Sequence, residues 1–210
     1  MTVLIGGAMS LTSVLLKPAQ DKQVELDTKK KILGAVMDIS TFNTPEEILN
    51  LYKARVKSVV VDIEGEIIAT DEKGNPLIAE KVNAQKNHKI DREERLYPIY
   101  MILNELDPNV VEAYVFPMFG LGLWDWISGY VALESDLNTV KGVAFDHKGE
   151  TPGLGARITE EKVRNRYKEN KKIFSDAGNL ESITMVKGEG ITGLSMHEVD
   201  GLSGATITAK

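Results

Sequence analysis

Cysteine is absent from all 210 residues. Disulfides, thiolate nucleophiles and cysteine-ligated zinc or iron–sulfur centres are thereby excluded. Histidine is nearly as scarce, at His88, His147 and His197. None of the three is spaced as a pair of ligands on one helix face, so no metal site is expected. Basic charge is in deficit too, with 25 Lys and Arg against 31 Asp and Glu and a net charge of −6. A surface that tracks phosphates needs a concentrated basic stripe. The runs "DTKKK" and "KENKK" are instead mixed with acids or bounded by them, as solvated helix faces are, and no nucleic-acid partner is expected. What remains is ordinary globular composition, 42% apolar and 27% charged, in a chain long enough for one well-buried domain.

One stretch lacks charge altogether. Residues 1–16, "MTVLIGGAMSLTSVLL", carry no ionisable side chain before Lys17 and Pro18. As a helix rising ~1.5 Å per residue the run reaches about 24 Å, against a bilayer core of ~30 Å. A secretory signal would place a basic residue ahead of the apolar part, and none precedes it. A short membrane anchor, an atypical signal sequence and a buried core helix remain open, with Pro18 expected to end the run. Residues 17–43 read as a polar connector leading into a helix that stops near Gly34, and residues 44–210 as the globular domain.

The domain opens on a firm signal. In "TPEEILNLYKARV", Thr44 is placed to cap a helix, Pro45 takes its first position and Glu47 completes a capping box. "SVVVDIEGEIIAT" suggests two β segments around Gly65, and "REERLYPIYMILNEL" is expected to be broken by Pro98. From Val110 onward, "VVEAYVFPMFG", "WISGYVALESD" and "NTVKGVAFDHKGE" are short β-branched or aromatic runs joined by turn residues. "ITEEKVRNRYKENKKIF" reads as a long amphipathic helix with Val163, Tyr167 and Phe174 inward, and "LESITMVKGEGI" as a returning strand. The order points to an α+β fold with a mainly antiparallel sheet and flanking helices.

Three glycine-bearing segments concentrate the chemistry. "FGLGLWDWISG" holds both tryptophans, Trp124 and Trp126, among glycines. It is either a turn flanked by two indoles or a place where backbone and ring meet a planar ligand. "HKGETPGLGARI" places Thr151 and Pro152 before Gly153, Leu154 and Gly155, where successive N–H groups are able to cradle an anion, although the spacing is neither a dinucleotide nor a Walker signature. "DGLSGATIT" offers Ser203 and Thr206 around Gly204 and Ala205. Either hydroxyl is able to cap a helix. No histidine lies within the motif to make a nucleophile of Thr206, so its hydroxyl is more readily one that another enzyme modifies.

Taken together the three segments resemble the signatures of the FMN-binding domain family. "DGLSGAT" is similar to its flavinylation motif, Asp-x-x-(Ser/Thr)-Gly-Ala-Thr, and matches at Asp200, Ser203, Gly204, Ala205 and Thr206 without a gap. "GLW" at 122–124 and "ETPGLG" at 150–155 resemble the other two, in the same order. "LKPAQDKQVELDTKKKIL" resembles the juxtamembrane segment of one branch, the C subunits of sodium-translocating NADH:quinone oxidoreductases, so the likeness runs from about residue 14 to the end. The G subunits of Rnf-type electron-transport complexes form a rival branch with the same linkage.

The resemblance implies a single-pass protein of the bacterial inner membrane with its domain in the periplasm. It implies FMN joined by a phosphodiester to Thr206, installed from FAD by a dedicated flavin transferase. It implies electron relay within a complex whose other subunits hold the NADH site and the sodium path. Trp124 is then expected to line the flavin ring, with Thr151, Gly153, Leu154 and Gly155 supplying backbone donors and an apolar wall. A carboxylate beside a phosphodiester repels it, so Asp200 is expected to serve transferase recognition or local turn structure. The family carries a longer anchor and a further helix past the motif, so both ends of this chain read as shortened. A non-redox extracytoplasmic binding module, with "SGAT" as a mere helix cap, is the alternative from a different class.

Overall fold

The computed structural model describes residues 2–168 and 170–205, with backbone alone at 2–4 and 8. Its first element, α1, runs unbroken from Thr2 to Gly34. Pro18 lies inside it rather than ending it, and the expected connector is part of the same helix. An internal proline costs a helix about 3 kcal/mol. The residues after it are good helix formers, and Gln23 to Asp27 (2.9 Å) and Lys29 to Glu25 (2.5 Å) add side-chain ties one turn apart. Gly34 is the last helical residue, as its position suggested.

The helix is two-natured. Every described side chain from Ile5 to Glu25 is exposed, which removes the buried-core reading of the apolar run. Leu26, Ile32 and Leu33 are then buried in the domain. Large aliphatic side chains of this kind contribute ~1.5–3 kcal/mol each when fully buried. Among the described residues no helix is long and apolar enough to cross a membrane.

Helix α2, Pro45–Arg55, forms as its sequence dictates. Thr44 accepts from the Glu47 N–H, and the Glu47 carboxylate reaches back to the Thr44 backbone. Five strands follow: β1 Val56–Val61, β2 Tyr97–Leu103, β3 Val111–Leu121, β4 Trp126–Glu134 and β5 Val140–His147. They pair in chain order as one antiparallel sheet. The second segment expected around Gly65 is reduced to two isolated bridges, Val61 to Ile67 and Thr70 to Pro76.

Pro98 does not break a helix; it sits within β2, opposite Val60. The β2–β3 ladder runs only as far as Tyr100 opposite Val115. Continued in register it would set Pro98 against Pro117, and neither can donate to a ladder. The pairing stops there, and a cleft of about 1080 Å³ opens between this end of the sheet and α1, with Tyr100, Tyr130, Phe119 and Trp126 along it.

Alternation gives the sheet two apolar faces. One carries Val60, Tyr100, Ile102, Ala113, Val115, Ala132 and Ala144 against the end of α1 and against α2. The other carries Leu133, Val143, Phe116, Val131 and Phe145 toward the C-terminal part of the chain. That part is mostly irregular. The expected long helix after Ile158 is the five-residue α4, Glu161–Asn165, preceded by a 3-10 turn at Gly155–Thr159; the four-residue α3 is Ala84–Asn87. Asn170 takes a left-handed backbone, φ 56°, and the chain beyond it turns to the edge of β5, where Val140 N–H donates to the Lys171 carbonyl. Val163 and Tyr167 do face inward, as expected. The returning strand is β6, Thr184–Met185, paired in parallel with β7, Glu198–Val199.

Candidate functional site

The three motif segments are loops at one end of the sheet, and side-chain contacts tie them together. The first joins β3 to β4. Gly122 N–H donates to the Asp125 carbonyl at 2.9 Å, closing a tight turn that carries Leu123 and Trp124. The Glu150 carboxylate occupies the space where any side chain at Gly122 would begin, and it accepts the Trp124 N–H at 3.1 Å. Glu150 is itself buried, so this bond is a buried anchor between "GLW" and "ETPGLG". Lys148 and Asp125, 3.5 Å apart, add a second link between the two segments.

The second loop turns immediately after that anchor. The Thr151 carbonyl accepts from the N–H groups of Leu154 and Ala156, with Gly153 at φ 75° in the left-handed region that glycine tolerates. Thr151, Pro152, Gly153 and Leu154 are exposed and Gly155 is buried. The Leu154 N–H is thus already engaged inside the turn, and the side chain is what Leu154 offers outward.

The third loop meets the second. Gly204, at φ 79°, has the Leu154 side chain over it, 2.7 Å from where a Cβ would stand. Ser203 and Gly204 form an exposed tip between Leu202 and Ala205, which are buried with Ile158, Val163, Met185 and Val199. Ala205 is the last described residue of the motif; Thr206 lies outside the described residues.

Charged side chains fix the strand side of this tip. Asp200 Oδ2 accepts from Gly190 N–H and Oδ1 from Ile191 N–H, each at 2.9 Å. Arg166 donates to the carbonyls of Asp200 (2.8 Å) and Gly201 (2.6 Å) and stands 3.6 Å from the Asp200 carboxylate. Glu189 accepts from Arg157 (2.7 Å) and Arg166 (3.2 Å). The Ser203 backbone N–H faces it and helps to lower its pKa. The Arg157 hydrogen bond leads in holding the Glu189 carboxyl down at about 2, against a partial burial that pushes the other way. Burial also pushes the Asp200 carboxyl up, but the Ile191 and Gly190 N–H bonds and the Arg166 charge together outweigh it and hold it below the usual range. Gly201 allows the close approach: a Cβ there would overlap the carbonyls of Val186 and Gly188.

With this geometry in place, similarity to known proteins becomes decisive. Residues 122–210 match the model of the FMN-binding domain family. The C subunit of a Na(+)-translocating NADH-quinone reductase from Pseudomonas aeruginosa is 32% identical over the whole of this chain and 82% of its own length. The corresponding C subunit of Haemophilus ducreyi is 33% identical over 94% of this chain and 77% of its own. The chain belongs to the family of these C subunits. The fold agrees: the crystal structure of the C subunit from Parabacteroides distasonis aligns with TM-score 0.74 and 31% identity, over 92% of this chain and 87% of that one. NqrC of Shewanella oneidensis aligns with TM-score 0.70 and 26% identity, over 89% and 87%.

The three loops fit a flavin in their chemistry. Leu121, Leu123, Trp124 and Leu154 stand 71%, 49%, 69% and 43% exposed at this end of the molecule. A flat aromatic ring is the kind of ligand that covers such a cluster. Of the residues singled out from sequence, the structure joins Trp124, Leu154 and Gly204 through direct contacts of their loops, and places Ser203 at the tip. Trp126 points elsewhere, tilted against Phe119 with ring centroids 5.6 Å apart. Sequence reading missed Glu150, Arg157, Arg166 and Glu189. No local pattern marks the last three, because their partners lie 23 to 35 residues away in the chain.

Proposed function

We propose that this chain is the FMN-carrying electron-transfer subunit of a sodium-pumping NADH:quinone oxidoreductase, with its flavin esterified through phosphate to Thr206. The observation that carries the proposal is the meeting of the three motif segments, Trp124 with Glu150 and Leu154 with Gly204. Bound there, FMN supplies a redox carrier that passes electrons between neighbouring centres, and a covalent link keeps it from dissociating. The chain's own residues do the holding. Glu150 fixes the indole-bearing loop, Leu154 and Trp124 offer apolar surface to the ring, and the Asp200–Ala205 turn sets where Thr206 begins. NADH oxidation and sodium passage are assigned to other subunits, and the isolated chain is not expected to oxidise NADH.

The exposed apolar part of α1 supports membrane attachment through a single N-terminal helix, with the domain on the periplasmic side. Maturation requires a flavin transferase as a partner. The test is fluorescence on a denaturing gel of the full chain produced with such a transferase. The wild type is expected to fluoresce and Thr206→Ala to be dark; a fluorescent Thr206→Ala protein overturns the assignment of the acceptor.

A further inference from the structure

An enzyme that esterifies Thr206 must take hold of the residues before it, yet the structure leaves little of them to hold. Both Asp200 carboxylate oxygens are turned inward onto the Gly190 and Ile191 N–H groups. The carbonyls of Asp200 and Gly201 are engaged by Arg166, which Glu189 holds in turn, and the Ser203 N–H faces the Glu189 carboxylate. Leu202 and Ala205 are buried, and Gly201 is packed against the backbone of the 186–188 segment. Within the described part of the motif, Ser203 and Gly204 alone are open.

We propose that Glu189 and Arg166 form a latch that closes over the acceptor turn and must open before Thr206 is loaded. The proposal rests on the reading of Thr206 as acceptor. In the open state Asp200 is released from the 190–191 amides and Asp200–Ala205 are available as an extended segment. The Thr206 hydroxyl oxygen then attacks the FMN-side phosphorus of FAD in the transferase. A new P–O bond forms, the pyrophosphate P–O bond breaks, AMP leaves, and the hydroxyl proton passes to a base of the transferase. No electrons are gained or lost. Closing afterwards returns Ser203 and Gly201 to their partners and fixes the modified turn against Leu154.

Glu189 is the pin, because it holds Arg157 and Arg166 together beside the Ser203 turn. Arg166 is the bolt, because its guanidinium spans Glu189, Asp200 and two carbonyls. Both act on the turn and neither is expected to touch the flavin ring.

The test uses the purified full-length apo chain, a flavin transferase and FAD, with loading followed by in-gel fluorescence against time. Glu189→Gln keeps the shape and removes the charge; it is expected to load about 10-fold faster than wild type, since hydrogen bonds to a charged group are lost from the closed state alone. Amide hydrogen exchange at Gly190, Ile191 and Ser203 is expected to accelerate in the same variant, which shows that the latch has opened. A Glu189→Gln chain whose amides exchange faster but which loads at the wild-type rate or slower overturns the latch. Should that variant fail to fold, wild type in rising sub-denaturing urea replaces it. Loading that rises with local opening supports the latch, and loading that stays flat overturns it. Thr206→Ala runs alongside. Dark in both backgrounds, it leaves the latch to be judged by rate; fluorescent, it overturns the acceptor reading and the latch with it.

Discussion

Residues 56–147 and residues 148–205 fold by different means. The first hold five strands whose backbone groups satisfy one another along antiparallel ladders, with side chains alternating into two apolar faces and one stretch of turns and short helices, 62–96, between β1 and β2. The second have two-residue strands, a five-residue helix and single turns whose backbone bonds are mostly short-range, and side chains tie these pieces to one another: Glu150 to Trp124, Arg166 to Asp200 and Gly201, Asp200 to Gly190 and Ile191. The comparison teaches where adjustability sits. Ladders exchange as a unit, whereas clamps made by one carboxylate or one guanidinium open singly and locally. The segment that must receive a cofactor is built in the second way.

Damage to the ladder half is expected to have the largest effect. Ile102, fully buried between α2 and the sheet, is expected to cost about 2–5 kcal/mol as Ile102→Ala, lowering the urea midpoint of the whole protein in one transition. Next comes the clamped half. Gly201→Ala forces a methyl into the Val186 and Gly188 carbonyls, an overpacking expected to cost about 1–3 kcal/mol. Hydrogen exchange is expected to accelerate across 186–205 while the β2–β4 amides stay protected.

Acid does the same more gently. Arg157 holds the Glu189 carboxyl at about 2 when folded, against an ordinary value of 4.5. The folded form therefore binds fewer protons, so the clamp's contribution is complete above 4.5 and fades as pH falls toward 2. Amide exchange at Ser203, corrected for intrinsic rates, is expected to lose protection over that window. Glu189→Gln is expected to show the loss at every pH.

Two smaller effects calibrate the rest. Thr44→Ala removes half of the capping box and is expected to lower stability by ~1 kcal/mol. Lys31→Met breaks the half-exposed pair with Asp146 that joins α1 to β5, and is expected to change stability by less than ~1 kcal/mol, within the spread typical of surface ion pairs. A larger change in thermal midpoint would mean that α1 is attached to the sheet more by charge than by Leu26, Ile32 and Leu33.

The contrast also explains what was legible in the sequence. Alternation in "VVEAYVFPMFG" and "WISGYVALESD", and the cap at Thr44, are local signals, and the strands and helix they imply are present. Pro98 misled because proline was weighed against a helix, whereas in a strand it is tolerated where one neighbour is missing. The long helix after Ile158 failed because its apolar positions answer to packing under β5 and to the Lys171 carbonyl, not to a helical stripe. The motifs were visible as glycines and hydroxyls. Their ionic ties were not, since Glu189, Arg157 and Arg166 look like ordinary surface charge until the fold brings them to one carboxylate.

Helix α1 works as a crank. It is one unbroken helix of about 50 Å, at ~1.5 Å per residue, that joins its apolar end to the three side chains sunk in the domain, with Pro18 inside it. Turning either end turns the other. Each residue added between Pro18 and Glu25 advances the domain ~1.5 Å along the rod and swings it ~100° around it. The compass bearing of the flavin loops is therefore set by a residue count, and a single insertion would aim them at a different neighbour without altering one contact inside the domain.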